Sequence, residues 1–379
     1  MTPRPARSAP LRDAVLVASP PWLVARALVV SALALARYLV SHVHPSAAGV
    51  AQRAHEGLLG WDAGWYRSIA DHGYGPLPRE ALRFFPLVPW CARLVHLVTA
   101  MPTGAALLVV VNVAALAAGA LLYRLALAET GDPSLGRRAA WLLSLAPSAF
   151  VLVMGYSEAV LLVLTLVAFS GLRSGKWWRA AAAGYLAGLT RPLGVLLGLP
   201  AAVEAVGGLR GGARPRPRQL GSRAAAVVAP AAGCATYLGW VAWRFGDFWL
   251  PFRIQQHRNL HGRFADPATT ISGSLRGLAH GHVGTALHVP WLAVLVLLLV
   301  VVVRSWPVSY AVFAAASLVA AVSATNLDSL ERYALGAFPF ILGAATVTAR
   351  PRVETVALTL LGGAIGSYAL LAFLNAYVP

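Results

Sequence analysis

The sequence predicts an all-α polytopic membrane protein, and three observations carry that expectation. Apolar residues make up 58% of the chain and charged residues 12%, with a mean hydropathy of +0.66, well outside the soluble globular range. Apolar stretches of about 20 residues, the length a helix needs to cross a bilayer, recur nearly end to end over the 379 residues. The formal charge of +17 comes mainly from short basic tracts between those stretches, where orientation signals and lipid headgroup contacts lie. Hydrocarbon offers no water to the backbone, so each crossing segment must satisfy its own N–H and C=O groups as a helix. No room is left for a large soluble domain, and the basic excess reads as topology rather than as a nucleic-acid surface.

A first helix is expected over residues 22–43. No convincing cleavage site follows it, so a retained helix is favoured over a removed signal peptide. Residues 44–102 form a long first outer loop that ends in the Pro-bounded amphipathic stretch "FFPLVPWCARLVHLV". Apolar runs follow at 103–128, 139–154 and 159–172. The run 180–206 lies between two basic tracts, "RSGKWWR" and "GGLRGGARPRPRQLGSR", and must cross an even number of times if both are cytoplasmic. Arg191-Pro192 at its centre provides the break, because proline disrupts the preceding helix and arginine is costly at mid-membrane. Two half-helices with "TRP" at their tip are therefore expected. A helix at 224–243, an outer loop at 244–288, and helices at 289–303, 308–324, 334–349 and 356–376 complete one integral membrane domain over residues 1–379, with about 11 transmembrane crossings. The outer loop carries five Arg and two Asp, against the positive-inside tendency; phosphate binding or an error in topology would each account for it.

The polar motifs gather on one predicted face, the outer one. In "GWDAGWYRSIADHGYG", residues 60–75, Asp62 and Gly73 have the spacing of an N-cap and a C-terminal glycine around an interfacial helix. Asp62 reads equally as that cap or as a general base, and the roles conflict: a helix N-terminus lowers a carboxylate's pKa, whereas a base works best with its pKa raised. Asp71, nine positions on, ranks second as a base, behind the reading of a solvated carboxylate. Glu158 in "GYSE" is either a helix-terminus charge or a site residue. Arg191 is either a loop-tip arginine or a phosphate ligand. Arg332 either pairs locally with Asp328 or Glu331 or faces a lipid phosphate. Gln256, His257 and Arg258 suit sugar hydroxyls or phosphate, beside the plainer reading of a basic interfacial loop. His257 and His261 share helical spacing without a nearby carboxylate, a weak zinc signal. Cys91 and Cys234 make neither a disulfide framework nor a metal pattern. Neither a metal nor a cofactor is expected.

The run "WDAGWYRSIADHGY" followed by "FFPLVP", with the later "GYSEAV", "TRPLG" and "ERYALGAFPF" in that order, resembles the glycosylphosphatidylinositol mannosyltransferase II (PIG-V-like) family over residues 22–340. That resemblance implies a GT-C glycosyltransferase fold, a polyprenyl-phosphate sugar as donor and an active site on the outer face. It links the Trp61-Asp62 pair to activity and makes Tyr156 and Glu158 substrate contacts and Arg191 a phosphate contact. The implied partners are a polyprenyl-phosphate mannose donor, a lipid-linked or secreted glycan or protein acceptor, and membrane lipids. One base suffices for direct displacement with inversion, because the carrier phosphate is already a leaving group.

No D-x-D pair for a metal-nucleotide sugar and no phosphate loop for ATP occurs in the sequence, which favours a lipid-linked donor. A transporter or flippase is the rival from another class, since broken helices with polar tips also mark substrate paths, but no internal repeat supports it. Transfer of another sugar from the same kind of carrier is the nearer rival. Lys176 is the only lysine, a bias that a GC-rich coding sequence produces, which points to the plasma membrane of a bacterium such as an actinobacterium.

Overall fold

The computed structural model describes residues 9–42, 48–207, 217–256, 265–280, 288–324, 327 and 330–378. Among them regular structure is helical, with no β-strand. Helix α1 (Leu11–His42) leads through α2 (Ala48–Glu56), α3 (Asp62–His72) and α4 (Leu87–Thr99) to α5 (Thr103–Thr130). Then come α6 (Pro133–Leu145), α7 (Glu158–Arg173), α8 (Trp177–Thr190), α9 (Gly198–Gly207) and α10 (Pro217–Phe245). The short α11 (Leu250–Gln255) and α12 (Pro267–Ala279) precede α13 (His288–Ser305), α14 (Val308–Val322), α15 (Leu330–Gly336), α16 (Pro339–Val347) and α17 (Pro351–Phe373). Five of these, α1, α5, α10, α13 and α17, are long and apolar enough to cross a membrane.

Polar contacts fix which helix ends meet. At one end of the bundle Arg173, closing α7, lies 2.7 Å from Glu129 of α5 and 3.0 Å from Glu204 of α9. From α14, Ser309 donates to Glu204 at 2.6 Å and Tyr310 to Glu129 at 3.2 Å. At the same end Arg137 of α6 sits 3.1 Å from Glu354 of α17. At the opposite end Thr103, which opens α5, donates to Asp71 of α3. There too the Trp61 indole donates to the Ala372 carbonyl of α17 at 3.1 Å, and His288 of α13 meets Glu331 of α15 at 2.9 Å. Both α3 and α15, the carriers of the sequence motifs, therefore lie at one end.

The half-helix pair has the expected form. Arg191 breaks the helix in extended backbone at φ −160°, ψ 154°, and a 3-10 turn, Pro192–Leu197, leads into α9. Because α8 starts beside the end of α7 and α9 returns to Arg173, the pair enters and leaves at the same end, with Arg191 at its far tip. Helix α8 packs on α10 so closely that a Cβ at Gly233 would strike the Tyr185 carbonyl.

Three of the differences from the sequence reading turn on proline. Helix α1 begins at Leu11 and runs through Pro20 and Pro21, because Ala14 and Ala18 pack against Ala120 and Tyr123 of α5. The run expected at 139–154 stops at Leu145, where Pro147 opens a 3-10 turn, Pro147–Leu152. The run expected at 334–349 is split ahead of Pro339 into α15 and α16. Proline cannot donate to the helical ladder, and at the last two positions the helix stops ahead of it.

Candidate active site

Asp62 opens α3, but not as its cap. Trp61 occupies the N-cap position at φ 56°, ψ −130°, without a side-chain cap hydrogen bond, which corrects the N-cap expectation for Asp62. A positive φ is costly for a bulky residue. Trp61 is held there by its indole bond to Ala372 and by the Arg53 guanidinium 4.1 Å from its ring. Strained backbone thus aims the next side chain, Asp62, away from its own helix. Gly73 ends α3 at φ 71°, as a C-terminal glycine should.

The carboxylate of Asp62 meets Arg332, with Oδ2 2.6 Å from Nη1. Arg332 Nε lies 3.3 Å from Glu158 Oε1, and the same oxygen accepts from Arg191. Two carboxylates and two guanidiniums from α3, α7, the tip of α8 and α15 therefore form one chain of ion pairs. Glu158 is 3% exposed and Arg332 8%, whereas Asp62 keeps 30% of its side chain accessible. Burial pulls the Arg332 pKa down, but Asp62 and Glu158 outweigh that and hold it well above the ordinary arginine value. The local pairing considered for Arg332 does not form with Glu331, whose carboxylate accepts instead from Tyr377 at 3.1 Å and meets His288. Asp328, the other local partner considered, lies outside the described residues.

Aromatic rings wall this cluster. The Arg332 guanidinium lies 5.5 Å from the rings of both Tyr156 and Tyr333, and Arg191 lies 5.4 Å from Tyr333. Tyr66 donates to Ser157 at 2.9 Å; burial first, then Glu158 and Asp62, push its phenol pKa up, so it stays neutral. Gly155 lets the "GYSE" segment approach α3, since a Cβ there would sit 3.0 Å from the Ala63 side chain. Three buried polar atoms in this cluster, Tyr156 Oη, Glu158 Oε2 and Arg332 Nε, have no hydrogen-bond partner among the described residues. Buried polar groups are rarely left so.

The remaining expected residues fall elsewhere or outside view. Trp61 contributes through its backbone, its indole being spent on Ala372. Gln256 is an exposed C-cap of α11, and it is the preceding Gln255 that accepts from Arg83 at 3.0 Å. His257 and Arg258 lie outside the described residues. Asp71 accepts from Thr103, away from the ion-pair chain. Sequence reasoning missed Tyr66, Ser157, Tyr333 and Arg83, of which the first three stand inside the quoted motifs and were passed over for their charged neighbours. Arg83 precedes "FFP" in a turn tied down by Tyr237, which donates to Leu82 O at 2.9 Å, and Tyr74, which donates to Phe84 O at 2.6 Å.

Comparison with known proteins follows the same residues. Among solved structures, one similar to this chain is the crystal structure of the Archaeoglobus fulgidus oligosaccharyltransferase in complex with Zn and sulfate, at 15% identity and a TM-score of 0.39. The likeness covers 83% of this chain, which spans about half, 48%, of that one. No curated protein matches. The profile of the family described as Mannosyltransferase (PIG-V) matches residues 27–197. Over that stretch, which supplies Asp62, Glu158 and Arg191, the chain is similar to the mannosyltransferase (PIG-V) family, and the resemblance read from its motifs is borne out there.

Proposed function

We propose that the protein moves a mannosyl unit from a polyprenyl-phosphate mannose to a hydroxyl of an outer-leaflet or secreted acceptor at the plasma membrane. The observation that carries this reading is the ion-pair chain Asp62–Arg332–Glu158–Arg191 at one end of a membrane bundle. Its four charges sum to zero, so both arginines are held by carboxylates until an anion competes for them. An incoming donor phosphate that takes over Arg332 loosens its hold on Asp62, and the freed carboxylate becomes a better base.

Asp62 then takes the acceptor's hydroxyl proton. The acceptor oxygen forms its bond to the sugar's anomeric carbon on the face opposite the phosphate, and the carbon–oxygen bond to the phosphate breaks. The electron pair leaves with polyprenyl phosphate, which gains one negative charge, and Arg332 and Arg191 stabilise that charge as it develops. A single displacement inverts the anomeric centre, so a β-linked donor gives an α-mannoside. The positive charge for this step comes from the two arginines, which already neutralise the site's two carboxylates, and the mechanism needs no metal.

A deletion strain of the source organism tests the reading through its envelope glycans. Loss of a mannose-bearing species, restored by the wild-type gene and not by Asp62→Asn or Arg191→Ala, is the expected result. Restoration by both variants would sink the site assignment. Loss of a different sugar would move the donor class, and unchanged glycans would remove the transfer itself.

A further inference from the structure

Lys176, Arg179 and Arg223 line a cavity of about 270 Å³ together with Trp177, Trp178, Gln219 and Ser222. It lies at the end of the bundle where α7 finishes and α8 begins, the end opposite Asp62 and Glu158. Gly175, at φ +69°, turns the chain tightly there. Helix α8 consequently starts at the cavity wall, and its N-cap residue, Lys176, offers no side-chain acceptor to the first free N–H groups.

The charges at this cavity are unbalanced. Arg173, three residues before Lys176, is saturated by Glu129 and Glu204. Lys176, Arg179 and Arg223, by contrast, pair with no carboxylate among the described residues, and no acidic residue lines the cavity. Arg223 is fixed rather than free to swing: Nη1 donates to Ala205 O at 3.2 Å and its guanidinium lies 5.2 Å from the Trp177 ring. Its Nε is nevertheless buried with no hydrogen-bond partner among the described residues. Three cations and a helix N-terminus converge on a space that a phosphate group fits.

Membrane geometry narrows the source of that phosphate. Trp178 is 67% exposed, as an aromatic at headgroup depth would be. From the cavity the outer faces of α10 and α8 present Leu220, Val228 and Leu186, exposed apolar side chains along which acyl chains can lie. We propose that this cavity holds the phosphate of an anionic phospholipid headgroup. The site is separate from the mannosyl-transfer reading and stands or falls without it.

Native mass spectrometry of the full chain, released from vesicles of phosphatidylcholine and phosphatidylglycerol, counts the phosphatidylglycerol retained. The wild-type protein is expected to keep one such lipid, with each of Lys176→Gln, Arg179→Gln and Arg223→Gln weakening retention about fivefold, the scale of one basic residue at an anionic surface. Arg304→Gln, an exposed basic residue at the same end, should retain it fully. Lys176 and Arg179 are exposed and make no ion pair among the described residues, so those two variants fold as the parent does, with helical content read by circular dichroism. Equal retention by wild type and all three variants overturns the site. Inorganic phosphate forms the second arm: thermal protection of wild type by phosphate, lost in the variants and without retained phosphatidylglycerol, keeps the phosphate chemistry and overturns the lipid as its source.

Discussion

Asp62 has one oxygen, Oδ2, on Arg332, while Oδ1 has no hydrogen-bond partner among the described residues. That leaves an oxygen for a proton while the other stays oriented. Asp62→Asn is expected to fold and to lose about 10²- to 10⁴-fold in transfer rate, the usual share of a general base. Arg332→Lys keeps the charge without the planar fork that reaches both carboxylates; lower activity together with a lower thermal midpoint is the expected pair of readouts. Arg332→Ala strands Glu158 with Arg191 alone, and loss of one member of a buried ion pair costs about 3–5 kcal/mol, measurable by denaturant unfolding. At Trp61, phenylalanine would keep the ring and drop the indole donor to Ala372, so Trp61→Phe should lower kcat by loosening the backbone that aims Asp62. The charged members of the site were legible in the sequence because short polar motifs stand out in apolar runs. Their pairing was not. Arg332 sits next to Glu331 in sequence yet meets Asp62, 270 positions away, because a helical step of about 100° sends adjacent side chains to different sides.

At the scale of the element, Arg191-Pro192 showed its break in the sequence because proline and a charge together have few places in an unbroken apolar helix. The course of α1 through Pro20-Pro21 was hidden for the converse reason: what holds it is packing on Ala120 and Tyr123, a partner surface no local pattern contains. The α8–α10 contact is just as invisible in sequence and depends on backbone meeting backbone. Gly233→Ala is expected to destabilise the protein by about 1–3 kcal/mol, the range for overpacking, as a lowered thermal midpoint. In the turn before α4, Tyr237→Phe would leave the buried Leu82 carbonyl without its donor, a loss of about 1–3 kcal/mol. Faster proteolysis within residues 79–83 would report it.

For the whole molecule, the two ends of the bundle differ in chemistry. One holds the ion-pair chain of the candidate site; the other holds the Glu129–Arg173–Glu204 cluster and the basic turns around Lys176 and Arg350. By the positive-inside tendency the second end is predicted to face the cytoplasm. With Cys91 and Cys234 replaced by alanine, an impermeant thiol reagent added to intact cells should label Ser68→Cys, on α3, and spare Arg179→Cys; the reverse pattern would invert the orientation. Helix α7 runs from one cluster to the other in 16 residues, about 24 Å at 1.5 Å per residue, against about 30 Å of hydrocarbon. If the Arg173 end lies at the cytoplasmic surface, Glu158 therefore sits below the opposite surface rather than above it. A carrier lipid would arrive by sideways diffusion within the leaflet, without being lifted into water. The rate would then follow the number of carriers per unit of membrane area, and diluting the donor with inert lipid would slow the enzyme even when its amount per volume is unchanged.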